Sequence, residues 1–101
     1  MAQGHELVER NWRCEAGEID LVTRDGECLA IVEVRARRGR RLGSPEESIT
    51  EAKRMRLLTL GEAYVQTHDW HGHWRIDVVA IEMDRRGQVQ RLDHYEDAIS
   101  G

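Results

Sequence analysis

Proline and lysine each occur once in the 101 residues, and cysteine only twice. A single proline, with 40% hydrophobic residues, is unlike the composition of a disordered polymer. Two cysteines, Cys14 and Cys28, are too few for a disulfide framework or a cysteine-only metal site. No apolar run reaches the roughly 18 residues of a membrane-spanning helix. The opening residues, Met1 to Glu6, lack the apolar stretch of a signal peptide. These absences together predict a cytoplasmic protein with reduced thiols and no membrane partner. The length predicts one domain, 1–101, with a single modest core.

What is present is charge. The 15 basic residues are arginine except for Lys53, and with 19 acidic residues the formal net charge is −4. That balance opposes bulk attraction to nucleic acid, but the charge is unevenly spread. Arg35, Arg37, Arg38, Arg40 and Arg41 concentrate basic charge into one short stretch, and such a patch can hold phosphate even in an acidic protein. The plainer reading of the same stretch is a solvated arginine-rich loop.

The hydrophobic pattern orders the elements. Glu18 to Arg24 alternates polar and apolar as a half-buried strand does, Asp25-Gly26 is a hairpin turn signal, and Glu27 to Arg37 returns as an antiparallel partner. Leu7 to Cys14 reads as a short strand before them. Ser44-Pro45-Glu46-Glu47 has the features of a helix start, with Thr50 as a second cap. Apolar residues Ile49, Ala52, Met55, Leu57, Leu58, Leu60, Ala63 and Tyr64 then predict a helix to about Gln66. His68 to His73 reads as a loop, and Trp74 to Met83 and Val89 to Tyr95 as two further strands. The expected class is α/β, a helix packed on a mixed sheet.

Chemistry converges on the first hairpin. Glu18 and Asp20 alternate on one strand, and Glu33 and Arg35 on the next. The Asp25-Gly26 turn brings Asp20 and Glu33 within one or two rungs, on the same or opposite faces according to register. Glu33 interrupts the apolar run Ala30 to Val34, and a buried carboxylate must be paired or bind a metal. Two close carboxylates suit Mg²⁺ or Mn²⁺, which could act on a phosphodiester with a nearby cation offsetting charge. A cross-strand ion pair between Glu33 and an arginine is the structural alternative.

Other features have plainer readings. His68, His71 and His73 share a loop with Asp69, but their spacing matches no structural zinc pattern. Asp77 interrupts an apolar strand and needs a partner, either Arg75 or a backbone group. Lys53 could touch phosphate, although a solvated helix face is its ordinary role. Trp12 reads as core, whereas Trp70 and Trp74 could pack or stack on bases.

Glu9-Arg10-Asn11-Trp12-Arg13-Cys14, Gly17-Glu18-Ile19-Asp20-Leu21-Val22 and Ile31-Val32-Glu33-Val34-Arg35-Ala36-Arg37 resemble motifs of the UPF0102 (YraN-like) family of bacterial proteins. So do Ser44 to Thr50 with Lys53, Arg75 to Ile81, and His94-Tyr95-Glu96-Asp97-Ala98-Ile99. The resemblance implies a restriction-endonuclease-like fold, related to Holliday-junction resolvases, with a PD-(D/E)xK site. By position it implies Asp20 and Glu33 as catalytic metal ligands and Glu18 as a supporting acid. The resemblance also implies Arg35 as the third catalytic residue, in the lysine role: arginine cannot serve as a lysine-like base but can stabilise charge, and Lys53 could donate the missing ammonium. Arg37, Arg38, Arg40, Arg41 and Lys53 would contact nucleic acid, DNA above all, with Mg²⁺ or Mn²⁺ as cofactor and a homodimer as the assembly that suits a junction. The alternative is an inactive nucleic-acid-binding or protein-interaction module that keeps the nuclease fold. The family pattern also has a helix with a further glutamate ahead of Arg10, which is missing from this chain. Either the start is misplaced or the helix is lost, and its loss would expose an apolar patch on one sheet face.

Overall fold

The structure, a computed structural model, describes residues 4–38 and 49–99. The proposed helix start at Ser44 to Glu47, and Arg40 and Arg41, lie outside the described residues. Five strands and one helix follow in the order β1 (Glu6–Cys14), β2 (Gly17–Asp25), β3 (Cys28–Arg38), α1 (Glu51–Thr67), β4 (His73–Met83) and β5 (Val89–Ile99). The strands form one sheet in the order β1-β2-β3-β4-β5. Neighbours are antiparallel except β3 and β4, which run parallel. A parallel pair cannot be closed by a tight turn, so α1 crosses over one face between them. The class is therefore α/β with a mixed sheet, as the pattern predicts.

Local chemistry accounts for the elements. The β2–β3 hairpin turns at Asp25↔Cys28, where Gly26 takes φ 61, a conformation that costs glycine little. α1 starts at the second of the two expected caps: the Thr50 hydroxyl accepts the backbone N–H of Lys53 at 3.1 Å. Its buried stripe, Leu57, Leu60, Gly61 and Tyr64, has helical spacing. Met55, expected on that stripe, is 52% exposed.

Two apolar clusters flank the sheet. Under α1 lie Ile19, Val22, Leu29, Ile31, Ile76 and Ile99, with Trp12, Trp70 and Trp74 packed against them. Both loop-side tryptophans are thus engaged by the core, and Trp70 also donates to the His73 carbonyl at 2.9 Å. The other face carries Ala30, Val32 and Val79, flanked by Leu21, Val34 and Ile81. The expected exposed patch does not extend across this face, because Ala30, Val32 and Val79 are buried. Apolar exposure lies at the sheet margins instead, at Leu7 and Val8 on β1 and at Val89 and Leu92 on β5.

β5 runs four residues beyond the expected end at Tyr95. Its register with β4 shifts between Ile76 and Val78, and Ile99 is then paired with Ile76. Asp97, at φ 50, lies in the irregular stretch, and its backbone N–H turns to the Asp77 carboxylate at 2.9 Å. A side chain on β4 thus takes the place of a ladder bond, which a two-residue pattern cannot display. Among the described residues no helix is long and apolar enough to cross a membrane.

Gly61 sits mid-helix, where alanine would ordinarily be favoured by about 1 kcal/mol. Here a Cβ would overlap the Trp74 ring. Gly61→Ala is therefore expected to lower stability by about 1–3 kcal/mol in urea unfolding. An unchanged or stabilised variant would show that the Trp74 ring yields without cost.

Candidate functional site: a carboxylate cleft

Ile19 and Val22 belong to the same cluster under α1, whereas Leu21 faces the other side. Strict alternation allows only one of Ile19 and Val22 to face the helix, so it breaks between them. Asp20 falls at this break. The β2–β3 pairing is regular from Asp25↔Cys28 to Leu21↔Val32. Beyond it the Asp20 Oδ2 accepts the Val34 backbone N–H at 2.9 Å, so a carboxylate occupies the place of a strand partner. On β1, Asn11 lies between the pairs Arg10↔Leu21 and Trp12↔Ile19 and takes φ 57, a left-handed conformation that asparagine tolerates.

The opening so created is a cleft of about 390 Å³. Asp20, Glu18 and Glu33 contribute its acids, Lys53 and Arg56 its bases, and Leu57 and Leu60 part of its wall. Register thus answers the question of faces: Asp20 and Glu33 share the helix side. Glu33 is buried, and its Oε2 lies 2.7 Å from the Lys53 ammonium. The Glu33 partner is thus a lysine reaching down from α1, and not a cross-strand arginine. Lys53 is correspondingly no solvated helix residue: its side chain is only 26% exposed. Glu18 pairs with Arg13 across the strands at 3.2 Å, at the cleft rim. Arg35 does not line the cleft, and among the described residues its side chain makes no hydrogen bond or ion pair. Arg37 is partly buried and Arg38 exposed at the end of β3.

A second polar cluster lies on the opposite face. Asp77 is fully buried and accepts from Arg75 Nε at 2.9 Å, from the Asp97 N–H at 2.9 Å, and contacts His94 Nε2 at 2.9 Å. Both partners proposed from sequence for Asp77, Arg75 and a backbone group, are therefore present. Arg75 continues to Asp25 at 3.2 Å and Glu96 at 3.3 Å, and lies 3.2 Å from His5 Nε2. The buried His5 ring is also 3.2 Å from the Thr23 hydroxyl. Ligand atoms of His5, Asp77 and His94 lie within 4.8 Å of one another. The Arg75 guanidinium already occupies this cluster, however, and no buried side-chain N or O among the described residues is without a partner. It reads as a self-satisfied charge network that ties the start of β1 and the end of β5 to β4.

Burial alone would push the Asp77 carboxyl up, but the hydrogen bonds from Arg75, Asp97 and His94 outweigh it and hold the group below the usual carboxylate range. The bond to Asp77 in turn raises the Arg75 guanidinium against the opposing effect of burial. The three loop histidines form no shared site among the described residues. His68 reaches the Tyr64 carbonyl at 3.0 Å and Glu9 at 3.5 Å, and His71 pairs with Asp69 at 2.8 Å in solvent. Tyr64 donates to Glu9 at 3.0 Å, and burial together with that bond pushes its hydroxyl up to about 12.

The family model described as "Uncharacterised protein family UPF0102" matches residues 1–81. The chain belongs to the UPF0102 family. It is 48% identical to a UPF0102 protein of Roseiflexus castenholzii over 99 residues, covering 96% of this chain and 80% of the relative. A UPF0102 protein of Beutenbergia cavernae is 48% identical over 94 residues, covering 92% and 79%. One of Pelotomaculum thermopropionicum is 44% identical over 97 residues, covering 95% and 81%. In this UPF0102 chain the sequence reading located Asp20 and Glu33 but missed Arg56 as a cleft residue and His5 as a network residue. Arg56 lies one helical turn after Lys53, so the helical period was the available signal. His5 precedes any legible periodicity and offered none.

Asp77→Asn keeps the shape and removes the charge, and breaking a buried pair costs about 3–5 kcal/mol. We expect that loss near pH 7 in denaturant titration. The folded carboxyl titrates below the unfolded one, so its contribution is present above the ordinary aspartate range near pH 4. It disappears as pH falls through the folded value, and the gap between wild type and variant should narrow there. A gap independent of pH would mean that shape, not charge, carries the effect.

Proposed function

We propose that this UPF0102 protein is a divalent-metal-dependent phosphodiesterase acting on DNA. The observation that carries the reading is the paired carboxylates Asp20 and Glu33 in one cleft, at the point where the β2–β3 ladder gives way to a side-chain bond. Two carboxylates on rigid strands, with cations on the adjoining helix, match the needs of phosphodiester hydrolysis better than those of a neutral ligand. The restriction-endonuclease-like fold implied by the motifs agrees with this and adds a fold-level analogy only.

The donor set fits a hard cation. Asp20 uses Oδ2 toward Val34, and Glu33 uses Oε2 toward Lys53. Among the described residues no bond is made to the other oxygen of either group, and oxygen donors suit Mg²⁺ or Mn²⁺. Asp20 and Glu33 would hold the ion, which when bound polarises a phosphoryl oxygen and activates water. The Val34 N–H orients Asp20, so that ligand needs no reordering. Leu57 and Leu60 restrict water on the wall side, and Lys53 and Arg56 offset charge on the phosphate. In the net reaction the water oxygen bonds to phosphorus, one P–O ester bond breaks, and the leaving sugar oxygen takes up a proton. Arg37 and Arg38 at the end of β3 extend the basic side toward a DNA backbone.

A second reading is a binding module without catalysis. It is favoured by Arg35 in the lysine position and by Glu33 being already paired.

The test is cleavage of linear, single-stranded, flapped and four-way-junction DNA with Mg²⁺ or Mn²⁺, by wild type, Asp20→Asn and Glu33→Gln. We expect metal-dependent cleavage that falls at least about 100-fold in either variant. Absence of wild-type cleavage, with salt-sensitive DNA binding retained, would establish the second reading. Absence of both would overturn the two together.

A further inference from the structure

Arg35 stands two residues after Glu33, where the motif expects the cation of the site. It does not line the cleft, and its side chain has no described partner. Lys53 comes from another element, 20 positions further along the chain, and places its ammonium 2.7 Å from Glu33 Oε2. Its position is set by the helix start. The Thr50 hydroxyl fixes the Lys53 backbone N–H as the third residue of the first turn, and the side chain falls toward the sheet from there.

We propose that Lys53 is the cation of this cleft, with Glu33 shared between its ammonium and a divalent metal ion. This rests on the phosphodiesterase reading for its substrate but not for its metal chemistry. An ammonium on Glu33 neutralises the buried carboxylate while no metal ion is bound. An incoming metal ion competes for the same oxygens, and like charges a few ångströms apart repel. The ammonium is therefore displaced from Glu33. It is tethered to the first turn of α1 and remains within the cleft, free to meet a bound phosphate once the metal ion has engaged Asp20 and Glu33. A lysine can make this exchange because its charge is a compact point on a flexible stem, whereas a guanidinium is a planar fork. Lys53 then contacts substrate directly and is a catalytic residue, and Arg35 lies outside the chemistry.

The experiment measures Mn²⁺ binding by calorimetry and cleavage of a short duplex and a four-way junction in parallel, using the full chain. The proteins are wild type, Lys53→Met, Lys53→Arg, Arg35→Met and Glu33→Gln, with thermal unfolding of each to show that it is folded. In Lys53→Met, Mn²⁺ should bind several-fold tighter while kcat falls at least about 100-fold and KM moves much less. A merely structural lysine would not move metal affinity and activity in opposite directions. Arg35→Met should leave Mn²⁺ affinity within twofold of wild type and retain cleavage. Lys53→Arg should stay folded with kcat reduced, and Glu33→Gln should lose Mn²⁺ affinity.

Unchanged Mn²⁺ affinity in Lys53→Met overturns the proposal, as does a loss of cleavage confined to Arg35→Met. If wild type binds Mn²⁺ without cutting DNA and Lys53→Met binds it tighter, the phosphodiesterase reading falls and the exchange at Glu33 stands. If wild type cuts DNA and Lys53→Met behaves identically, the reading stands and the exchange falls. Wild type that binds no Mn²⁺ overturns both.

Discussion

The parallel pairing of β3 with β4 is the constraint on which the rest of the molecule depends. It runs without a break from Cys28↔His73 to Arg38↔Met83. Strands that run the same way need a crossover, and a helical crossover leaves its helix on one face of the sheet. α1 is that helix. Its buried stripe lies on the Ile31–Ile76 core, and the same placement holds its first turn beside Glu33. The cleft is thus a by-product of topology: its strand wall and its helix wall are brought together by the helical crossover that β3 and β4 require.

Two acids illustrate why burial does not by itself identify a site. Asp77 and Glu33 are both buried, on neighbouring central strands, and each interrupts an apolar run. Asp77 meets a guanidinium, a backbone N–H and an imidazole, and those bonds consume its acceptor capacity. Glu33 has one described partner, a lysine ammonium, and faces an opening. The first arrangement stabilises a charge and ties strand ends together. The second leaves lone pairs available in a polar concavity, which is what a ligand needs.

Much of this was legible beforehand, for physical reasons that can be named. The period-two pattern of β2, the Asp25-Gly26 turn and the helical run to Tyr64 are local signals, and each produced its element. The proximity of Asp20 and Glu33 followed from counting residues on either side of the turn. Their shared face was left open because it depends on the register at the turn; the pairs Asp25↔Cys28 to Leu21↔Val32 set both on the helix side. The end of β5 was hidden for a different reason: Asp97 gives its N–H to a side chain from another strand. Interactions that replace a ladder bond with a side chain leave no periodic trace. Lys53 was misjudged because a helix face is read as solvated unless the pattern marks it apolar, whereas a long cationic side chain can reach down from a helix to a buried acid on the sheet.

Composition sharpens the last point. In a chain whose other basic residues are all arginine, the one lysine stands beside Glu33 in the helix–sheet cleft. An arginine at position 53 would present a planar fork to Glu33 and favour a bidentate, static pair. The ammonium makes a single short contact to one oxygen, leaving the second oxygen and the neighbouring Asp20 accessible. A pair held by one contact at the mouth of an open cleft is easier to exchange than one locked by two. The choice of cation therefore bears on whether Glu33 is a buried structural acid like Asp77 or an acid held in reserve for a competitor of higher charge.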